Sequence, residues 1–249
     1  MSNGDYWIKK DGGLPGFDHN WKEKWVNGLP AEIEFWDNWI KSRGSQWPAD
    51  FIFRIDAYTP LQSYMAGFLP ESESVSILDV GSGPLTFLGK QCGSKSITIT
   101  AVDPLADIYN TLLDRHGVHP PVRTVQAFAE RLTDKFDIGT FDLVFSRNAI
   151  DHSCSPETAI GEMIKVVKRK GYVILGHVRH EGQNANYSGL HQWDFTCNAD
   201  GDFIIKPASR ERQVNITKDF SSVAHIRCRI GQEKSLSDRD FHLAEILKL

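Results

Sequence analysis

The stretch that decides the fold is 77-ILDVGSGP-84, an apolar run that contains Asp79 and ends in two glycines, Gly81 and Gly83. A second apolar run, 97-ITITAVD-103, ends in Asp103. Glycine permits a sharp turn and lets a ligand approach the backbone with no Cβ in the way. An acidic residue that ends the next strand is placed to accept hydrogen bonds from ribose hydroxyls. The two runs therefore predict a nucleoside-binding site at the carboxyl ends of parallel strands.

The spacing of the glycines distinguishes between the possible nucleoside cofactors. A dinucleotide fingerprint needs a third glycine, where this chain has Thr86, and no lysine follows as in a phosphate-binding loop. The strand, D-x-G-x-G, strand, Asp pattern resembles motifs I and II of the class I S-adenosylmethionine (SAM) methyltransferases. That resemblance implies SAM as cofactor and an α/β, Rossmann-like methyltransferase fold. Its sheet is mostly parallel and seven-stranded, with an antiparallel last strand. A nicotinamide oxidoreductase is disfavoured.

The composition of the chain excludes some classes of binding partner. The 249 residues carry a net charge of −4, which gives no footprint for nucleic acid, and no apolar run reaches transmembrane length. The polar first residues indicate no signal peptide. The four scattered cysteines are expected to be free thiols in a reducing cytoplasm. We therefore expect a cytoplasmic protein that acts on a small molecule, binds no nucleic acid and does not insert into membranes. The sequence indicates no oligomeric state.

Two parts of the chain differ in composition. Residues 1–70 hold six of the seven tryptophans, and 31-AEIEFWDNWIKS-42 has the apolar spacing of an amphipathic helix that ends before Gly44 and Pro48. We expect residues 1–70 to be a helical lid over the cofactor, with plain core packing as the alternative. Residues 71–249 are expected to form the SAM-binding domain. The tryptophans are Trp7, Trp21, Trp25, Trp36, Trp39 and Trp47.

Alternating strand and helix patterns from Ser74 predict a parallel sheet. We place strands near 75–80, 97–102, 122–126, 141–146 and 171–177, and helices near 85–91, 106–116 and 157–169, with Lys170-Gly171 as a helix cap. Later we expect a hairpin around Asn198–Asp202, strands near 203–206 and 212–216, and a short helix after Thr217. The runs 223-VAHIRCRI-230 and 240-DFHLAEILKL-249 should form an antiparallel hairpin that closes the sheet.

The resemblance assigns the cofactor contacts residue by residue. Related enzymes often carry an acid for the adenine where this chain has Phe128, so that contact moves to Ala129 or Glu130, or Phe128 flanks the ring. Two alternatives stay open, a helix N-cap for Asp79 and a loop carboxylate for Asp103. The expected cofactor-binding residues are Asp79, Gly81, Gly83, Asp103, Pro104, Ala129, Glu130 and Asn148.

The segment 141-FDLVFSRNAIDHSCSP-156 resembles motif IV followed by an acidic-His pair, here Asp151 and His152. A histidine near its ordinary pKa can take a proton from an attacking hydroxyl. We expect His152 to be the catalytic base with Asp151 beside it. His177, which closes the fifth strand, is the second candidate. The alternative is that Asp151 and His152 only shape their loop.

The segment 187-YSGLHQWDF-195 places polar and aromatic groups after the fifth strand, as a substrate wall would. We expect His191, Gln192 and Trp193 to contact substrate. Histidines and carboxylates can also bind a metal. No two of His152, His177 and His191 have the i, i+4 spacing of a preformed ligand pair, so we expect no metal.

The Trp-rich lead segment, ILDVGSGPLTFLGK, AVDPLADIY, RNAIDHS and GLHQWDF together resemble a bacterial group of class I methyltransferases associated with surface-polysaccharide biosynthesis. The implied reaction is O-methylation of a sugar, sugar nucleotide or related polar metabolite. Two alternatives remain, a small-molecule N-methyltransferase and a non-catalytic SAM-binding partner subunit. Dispensable histidines would favour N-methylation, whereas an intact glycine loop and a polar crevice argue against the non-catalytic subunit.

Overall fold

A computed structural model describes residues 19–208, 213–232 and 240–249. Its strands are β1 (Ser74–Val80), β2 (Ser96–Asp103), β3 (Val125–Gln126), β4 (Phe141–Arg147), β5 (Val167–Val178), β6 (Trp193–Cys197), β7 (Phe203–Pro207), β8 (Val214–Asn215), β9 (Ala224–Gln232) and β10 (Asp240–Lys248). Its α-helices are α1 (His19–Lys41), α2 (Pro48–Ile55), α3 (Ala106–Arg115), α4 (Pro156–Val166), α5 (Glu181–Asn184) and α6 (Ile216–Asp219).

Seven strands form the main sheet in the order β3-β2-β1-β4-β5-β10-β9. The first five are parallel, and β10 runs antiparallel to both of its neighbours. This confirms the predicted Rossmann-like methyltransferase architecture with its antiparallel last strand. The strand order reverses between β1 and β4, and ligands of such sheets bind at the carboxyl ends beside that reversal.

Successive side chains of each strand point to opposite faces of the sheet, and both faces are covered by other parts of the chain. Leu78 and Val80 of β1 pack with α4, whose Ile160 and Met163 are fully buried. Ile77 packs on the other face, in a cluster with residues of the segment that follows α2. Burial on both faces explains the nearly continuous apolar runs of the central strands.

The prediction of a helix at 85–91 is wrong, since these residues form bends, irregular backbone and an isolated bridge. The backbone N–H of Leu61 donates to the carbonyl of Gln91 (2.6 Å), and that of Lys90 donates to the carbonyl of Thr59 (2.8 Å). A Cβ at Gly89 would collide with the Pro60 carbonyl oxygen. Pairing with residues 59–61 thus replaces the hydrogen bonds of the expected helix.

Two other element boundaries differ from the sequence expectation. α4 ends at Val166 because Val167 already pairs with Phe141 at the start of β5. Residues 168–170 bulge out of that pairing, and Lys170 has a φ of 63°, so Gly171 does not cap the helix. The third strand is only two residues long, shorter than the expected 122–126.

The carboxyl-terminal expectations hold within the described residues. β6 and β7 pair antiparallel across residues 198–202, β8 joins them in a separate three-stranded sheet, and α6 follows. β9 and β10 form the expected antiparallel pair. Residues 209–212 and 233–239 lie outside the described chain.

The expectation of four free cysteines is wrong for two of them. Cys197 in β6 and Cys228 in β9 form a disulfide, with their Cα atoms 5.7 Å apart. The fold brings together residues that are 31 positions apart, which spacing alone did not indicate. Cys92 and Cys154 are free thiols. The disulfide removes the thiol argument for a reducing compartment. Across the described ranges, no helix combines the length and the apolar character needed to cross a membrane.

The predicted amphipathic helix is the carboxyl-terminal half of α1, which extends from His19 to Lys41. Its buried Trp25, Leu29 and Trp39 pack in one cluster with Leu112 of α3 and with Leu190. Residues 1–18, including Trp7, and the side chain of Trp21 lie outside the described part.

Candidate functional site

The crevice at the carboxyl ends of β1, β2 and β4 holds two adjoining cavities. The larger has a volume of about 700 Å³. They share lining residues from α1, the glycine loop, the end of β2 and the loop after β4, namely Glu32, Gly81, Asp103, Ala149, His152 and Leu190. The site therefore combines the expected strand ends with the N-terminal helix.

The glycine loop lies between the end of β4 and α1. Gly81 and Gly83 have φ angles of +71° and +63°, which L side chains rarely adopt. A Cβ at Gly81 would collide with that of Ala149, and one at Gly83 would lie 3.0 Å from the ring of Trp36. Glycine is required at both positions, and the loop backbone is left open to a ligand.

Asp103 is buried at the end of β2. Its Oδ2 accepts a hydrogen bond from the N–H of Gly83 (3.1 Å) and its Oδ1 accepts one from that of Leu105 (2.9 Å). Burial raises the pKa of this carboxyl to about 7, and the negative charge of Glu32 adds to the increase. The two backbone hydrogen bonds lower the pKa but do not cancel the effect of burial. A carboxylate has about four acceptor positions, so it retains capacity for a ligand's hydroxyls.

Asp79 is buried at the end of β1, where Oγ1 of Thr86 donates to its Oδ2 (2.5 Å). Burial raises the pKa of Asp79 to about 6, although the Thr86 hydrogen bond and the charge of Arg54 oppose the shift. Thr86, which stands where a dinucleotide fingerprint has its third glycine, thus holds Asp79 in place. The helix N-cap alternative is excluded because residues 85–91 form no helix.

The loop after β4 brings Asp151 against three histidines. Oδ2 of Asp151 lies 2.7 Å from Nδ1 of His191 and 3.6 Å from Nε2 of His152, while Oδ1 lies 3.7 Å from Nδ1 of His177. His152 Nε2 and His191 Nδ1 are 3.0 Å apart. Burial alone would raise the pKa of Asp151, but the charges of the histidines and the His191 hydrogen bond hold it well below its usual range.

Comparison with known proteins gives the chemistry of this crevice. The family model described as a methyltransferase domain matches residues 78–175, the span from β1 to β5 that builds it. No curated protein matches the sequence. The chain contains a methyltransferase domain over these residues.

Solved structures are similar to this chain at low sequence identity, and the first two of the following three share its fold. A chain from a Haloferax volcanii complex that contains the Trm112 methyltransferase activator is 13% identical (TM-score 0.50), covering 85% of this chain and 96% of that chain. Phosphoethanolamine N-methyltransferase 2 of Haemonchus contortus, in complex with SAM, is 15% identical (TM-score 0.50). The match covers 74% of this chain and 51% of that chain. A SAM-dependent methyltransferase from Aquifex aeolicus is 16% identical (TM-score 0.48). The match covers 88% of this chain and 98% of that chain.

The crevice fits SAM, the cofactor that the sequence predicted. Gly81 and Gly83 line the larger cavity without side chains of their own, and Asp103 lines both cavities with acceptor capacity for the ribose hydroxyls. The larger cavity is within the usual range for a small-molecule site, about 300–1,000 Å³. SAM supplies an electrophilic methyl group when bound.

The other predicted cofactor residues of the methyltransferase lie at the same crevice. Pro104, Ala129 and Glu130 line the smaller cavity, together with Phe128. Oε1 of Glu130 accepts from the N–H of Cys154 (2.8 Å), which holds this carboxylate against the loop after β4. Asn148 lines the larger cavity, and its Oδ1 accepts from the N–H of Val178 (2.8 Å).

The predicted catalytic and substrate residues separate into two groups. His152 and His191 line the larger cavity, whereas His177, Gln192 and Trp193 line neither. His177 packs edge-on against the Phe195 ring. Nε2 of Gln192 donates to the carbonyls of Tyr187 and Gly189, and Nε1 of Trp193 donates to that of Ser153, contacts that hold the loop carrying His191.

Sequence reasoning expected a helical lid but did not single out Glu32 of α1 as a residue of the site. Trp25, Leu29, Glu32 and Trp36 lie on one face of this helix and line the cavities. Nε1 of Trp36 donates to Oε1 of Glu32 (2.7 Å), beside Asp103. A carboxylate on the apolar face of an amphipathic helix, between Leu29 and Trp36, was the signal for this role.

The histidine cluster also has the dimensions of a cation site. One ligand atom each from Asp151, His152 and His191 lies within 4.8 Å of the other two. Sequence spacing did not indicate this grouping, because His191 reaches the other two residues only through folding. Two of the three separations, 2.7 and 3.0 Å, are ordinary hydrogen-bond lengths, so a hydrogen-bonded cluster accounts for them.

Proposed function

We propose that this methyltransferase methylates a hydroxyl oxygen of a sugar, sugar nucleotide or related polar metabolite, in keeping with its resemblance to enzymes of surface-polysaccharide biosynthesis. The observation that carries the proposal is the Asp151–His191 hydrogen bond of 2.7 Å in the wall of the larger cavity. A hydroxyl needs a base to remove its proton as the methyl group transfers. An amine acceptor can lose its proton to bulk water instead.

The pair has the geometry of a carboxylate that orients a basic imidazole. When Nδ1–H of His191 donates to Asp151, Nε2 retains the lone pair that accepts a proton. Burial lowers the pKa of His191, but the hydrogen bond and charge of Asp151 outweigh it and raise the pKa above its ordinary value. We therefore assign the base to His191, although the sequence favoured His152.

The other two histidines support this pair. The His152 ring packs edge-on against that of His191, with centroids 4.4 Å apart, and His177 lies buried on the Oδ1 side of Asp151. We assign both to holding the carboxylate and the base in place. His152 also borders both cavities, so it limits where the acceptor can lie.

The N-terminal segment 1–70 acts in this proposal as a lid. Its α1 side chains form one wall of the cavities, and Trp36 lies over Gly83. Excluding water strengthens electrostatic interactions inside a site and prevents loss of the methyl group to solvent. The protein's tasks are then to hold acceptor and cofactor in line, to exclude water and to take one proton.

The test is a set of three alanine variants assayed against a panel of sugars and sugar nucleotides. His191→Ala should lower kcat about 100-fold or more, the usual contribution of a positioned base, with SAM affinity unchanged. His152→Ala should lower it less. His116→Ala is the matched control, because Nε2 of His116 makes an equal 2.7 Å contact with Asp37 outside the cavities.

The outcomes separate the alternatives. A large loss in His152→Ala with little loss in His191→Ala would move the base to His152. Full activity in both variants would favour an amine acceptor. SAM binding without turnover of any acceptor in the panel would favour the non-catalytic partner subunit.

A further inference from the structure

The helix α1 has a second face at the site, next to the face that carries Glu32 and Trp36. Its residues lie three or four positions apart, a spacing that aligns side chains along one side of a helix. They are Lys24, Gly28, Ala31 and Phe35. Nζ of Lys24 donates to Oε1 of Gln192 (3.4 Å), and a Cβ at Gly28 would lie 2.7 Å from Cδ2 of Leu190. This face therefore packs against the loop that carries His191.

Phe35 extends this face to an open part of the larger cavity. It lies two turns beyond Gly28, about 10 Å along the helix. Phe35 lines the cavity, as Gly28 and Ala31 do, yet 47% of the residue is exposed. Its ring is held edge-on against that of Trp36, with centroids 5.1 Å apart. A positioned but exposed ring offers a surface for the apolar atoms of a ligand, because covering apolar area is favourable.

Glu181 lines the same cavity from the segment that follows β5, where it is the first residue of α5. Burial lowers the pKa of His191, while its contact with Asp151 and, to a smaller extent, the charge of Glu181 raise it. Glu181 therefore lies near enough to the proposed base for their charges to interact. A carboxylate offers about four acceptor positions, so Glu181 can bind a ligand while it keeps its contacts within the protein.

The other charged or titratable side chains of this cavity have different places. Within the described ranges they are Glu32, Asp50, Asp79, Asp103, Arg54, Arg147, His152 and His191. Asp79 and Asp103 lie at the ends of β1 and β2, and the charge of Glu32 acts on Asp103. Asp50 pairs with Arg54 of the same helix at 3.0 Å. These four carboxylates thus belong to the lid and to the strand ends beside the glycine loop.

Glu181 differs from them in its place beside the base. In the part of the chain that the structure describes, it is the only carboxylate that lines this cavity from the segment after β5. A phosphate placed next to it would be repelled, whereas a hydroxyl can donate a hydrogen bond to it. The group beside the reacting hydroxyl of the acceptor is therefore expected to be a hydrogen-bond donor.

We propose that Phe35 and Glu181 bind the acceptor from two walls of the cavity. The phenyl ring packs on the apolar face of a sugar, and the carboxylate accepts a hydrogen bond from the hydroxyl next to the one that is methylated. The assignment rests on the proposed function, because it presupposes a sugar acceptor, and it narrows that function to sugars in which the neighbouring hydroxyl is free. An apolar surface with a few placed polar groups is usual for small-molecule sites.

The test is steady-state kinetics at saturating SAM with the methyl glycosides of glucose, galactose, mannose and rhamnose, and with UDP-glucose. NMR of the product identifies the methylated position. Glu181→Ala should raise KM about 10- to 100-fold and change kcat less than about threefold, because a charge-assisted hydrogen bond to the bound sugar is lost. Glu181→Gln keeps an acceptor oxygen without the charge, so it should raise KM less. On the deoxy analogue that lacks the neighbouring hydroxyl, Glu181→Ala should have no further effect.

Phe35→Ala should raise KM about 5- to 20-fold, whereas Phe35→Tyr keeps the ring and should stay within about twofold of wild type. Glu157→Ala is the matched control for Glu181, since Glu157 also lies in the first turn of a helix and is half-buried but lines neither cavity. Tyr58→Ala is the control for Phe35, because Tyr58 is an exposed aromatic residue outside both cavities. Thermal unfolding of each variant separates lost binding from lost folding.

The outcomes distinguish two kinds of failure. If the wild-type protein neither binds nor methylates any of these sugars, the proposed sugar acceptor and this assignment both fall. If a sugar reacts but Glu181→Ala and Phe35→Ala keep the wild-type KM, only the assignment falls. An equally large loss in Glu181→Ala on the deoxy analogue would mean that Glu181 only sets the loop of His191. Weaker SAM binding in Phe35→Ala with unchanged KM for the sugar would assign the ring to the cofactor.

Discussion

The carboxylates in the two halves of the crevice are equally buried but respond in opposite ways. In the cofactor half, burial raises the pKa of Asp79 to about 6 and that of Asp103 to about 7. On the side with the three histidines, which we propose binds the acceptor and call the acceptor half, the pKa of Asp151 is held below its usual range. The difference lies in the neighbours. Asp103 accepts from backbone N–H groups and lies near the negative charge of Glu32. Nearby cationic side chains only partly offset the burial of Asp79, whereas Asp151 faces three imidazoles.

This contrast shows what each half lacks before ligands bind. Burying Asp103 without a counter-charge is costly, so we expect a ligand that donates hydroxyl hydrogen bonds to stabilise it. The acceptor half already contains its counter-charges, and its histidines keep Asp151 ionised. We therefore expect ligand binding to depend on protonation in the cofactor half, and turnover to depend on it in the acceptor half.

The same division explains how much the sequence predicted. Asp79, Gly81, Gly83 and Asp103 belong to one strand-turn and the strand beside it, so local pattern was sufficient. Asp151 and His191 are 40 positions apart. Nothing local indicates that the loop containing His191 folds back onto the loop after β4. Likewise, pairing with residues 59–61, not local propensity, decided that 85–91 is irregular.

The largest expected effect in the cofactor half is that of Asp103→Ala. Losing an acceptor for two ribose hydroxyls should cost about 2–3 kcal/mol, a decrease in SAM affinity of about 30- to 150-fold. Calorimetry with SAM measures it. An affinity within twofold of wild type would mean that Asp103 is only the loop carboxylate that orders Gly83 and Leu105.

The lid is tested by Trp36→Ala, which removes the ring over Gly83 and the donor to Glu32. Losing this half-buried aromatic contact should weaken SAM binding about 10- to 30-fold. The fluorescence change on SAM binding should also decrease. Trp47→Ala is the control, since Trp47 is more exposed at the edge of the same cavity. Equal effects of the two substitutions would contradict a specific role for Trp36.

The pH dependence of SAM binding tests the contrast between carboxylates directly. The raised pKa of Asp103 means that the cofactor-free protein carries a proton there below about pH 7, and ribose binding favours the anion. Affinity should therefore rise with pH and level off above 7, with about a tenfold loss between pH 8 and pH 6. Asp103→Asn should flatten that profile. A flat profile in the wild-type protein would mean that Asp103 is already ionised at pH 6.

The smallest expected effect concerns metal ions in the acceptor half. Asp151, His152 and His191 are grouped closely enough to hold an ion, but Nδ1 of His191 cannot donate a hydrogen to Asp151 and at the same time offer a lone pair to an ion. If the group works as a hydrogen-bonded base, prolonged dialysis against EDTA should leave kcat within about twofold, and added Mg²⁺ or Zn²⁺ should not raise it. A metal-dependent rate would assign these side chains to cation binding and remove His191 as the base.

The rate should instead rise with pH through the raised pKa of His191, and His191→Ala should abolish that rise. Only a base that titrates on His191 predicts both results.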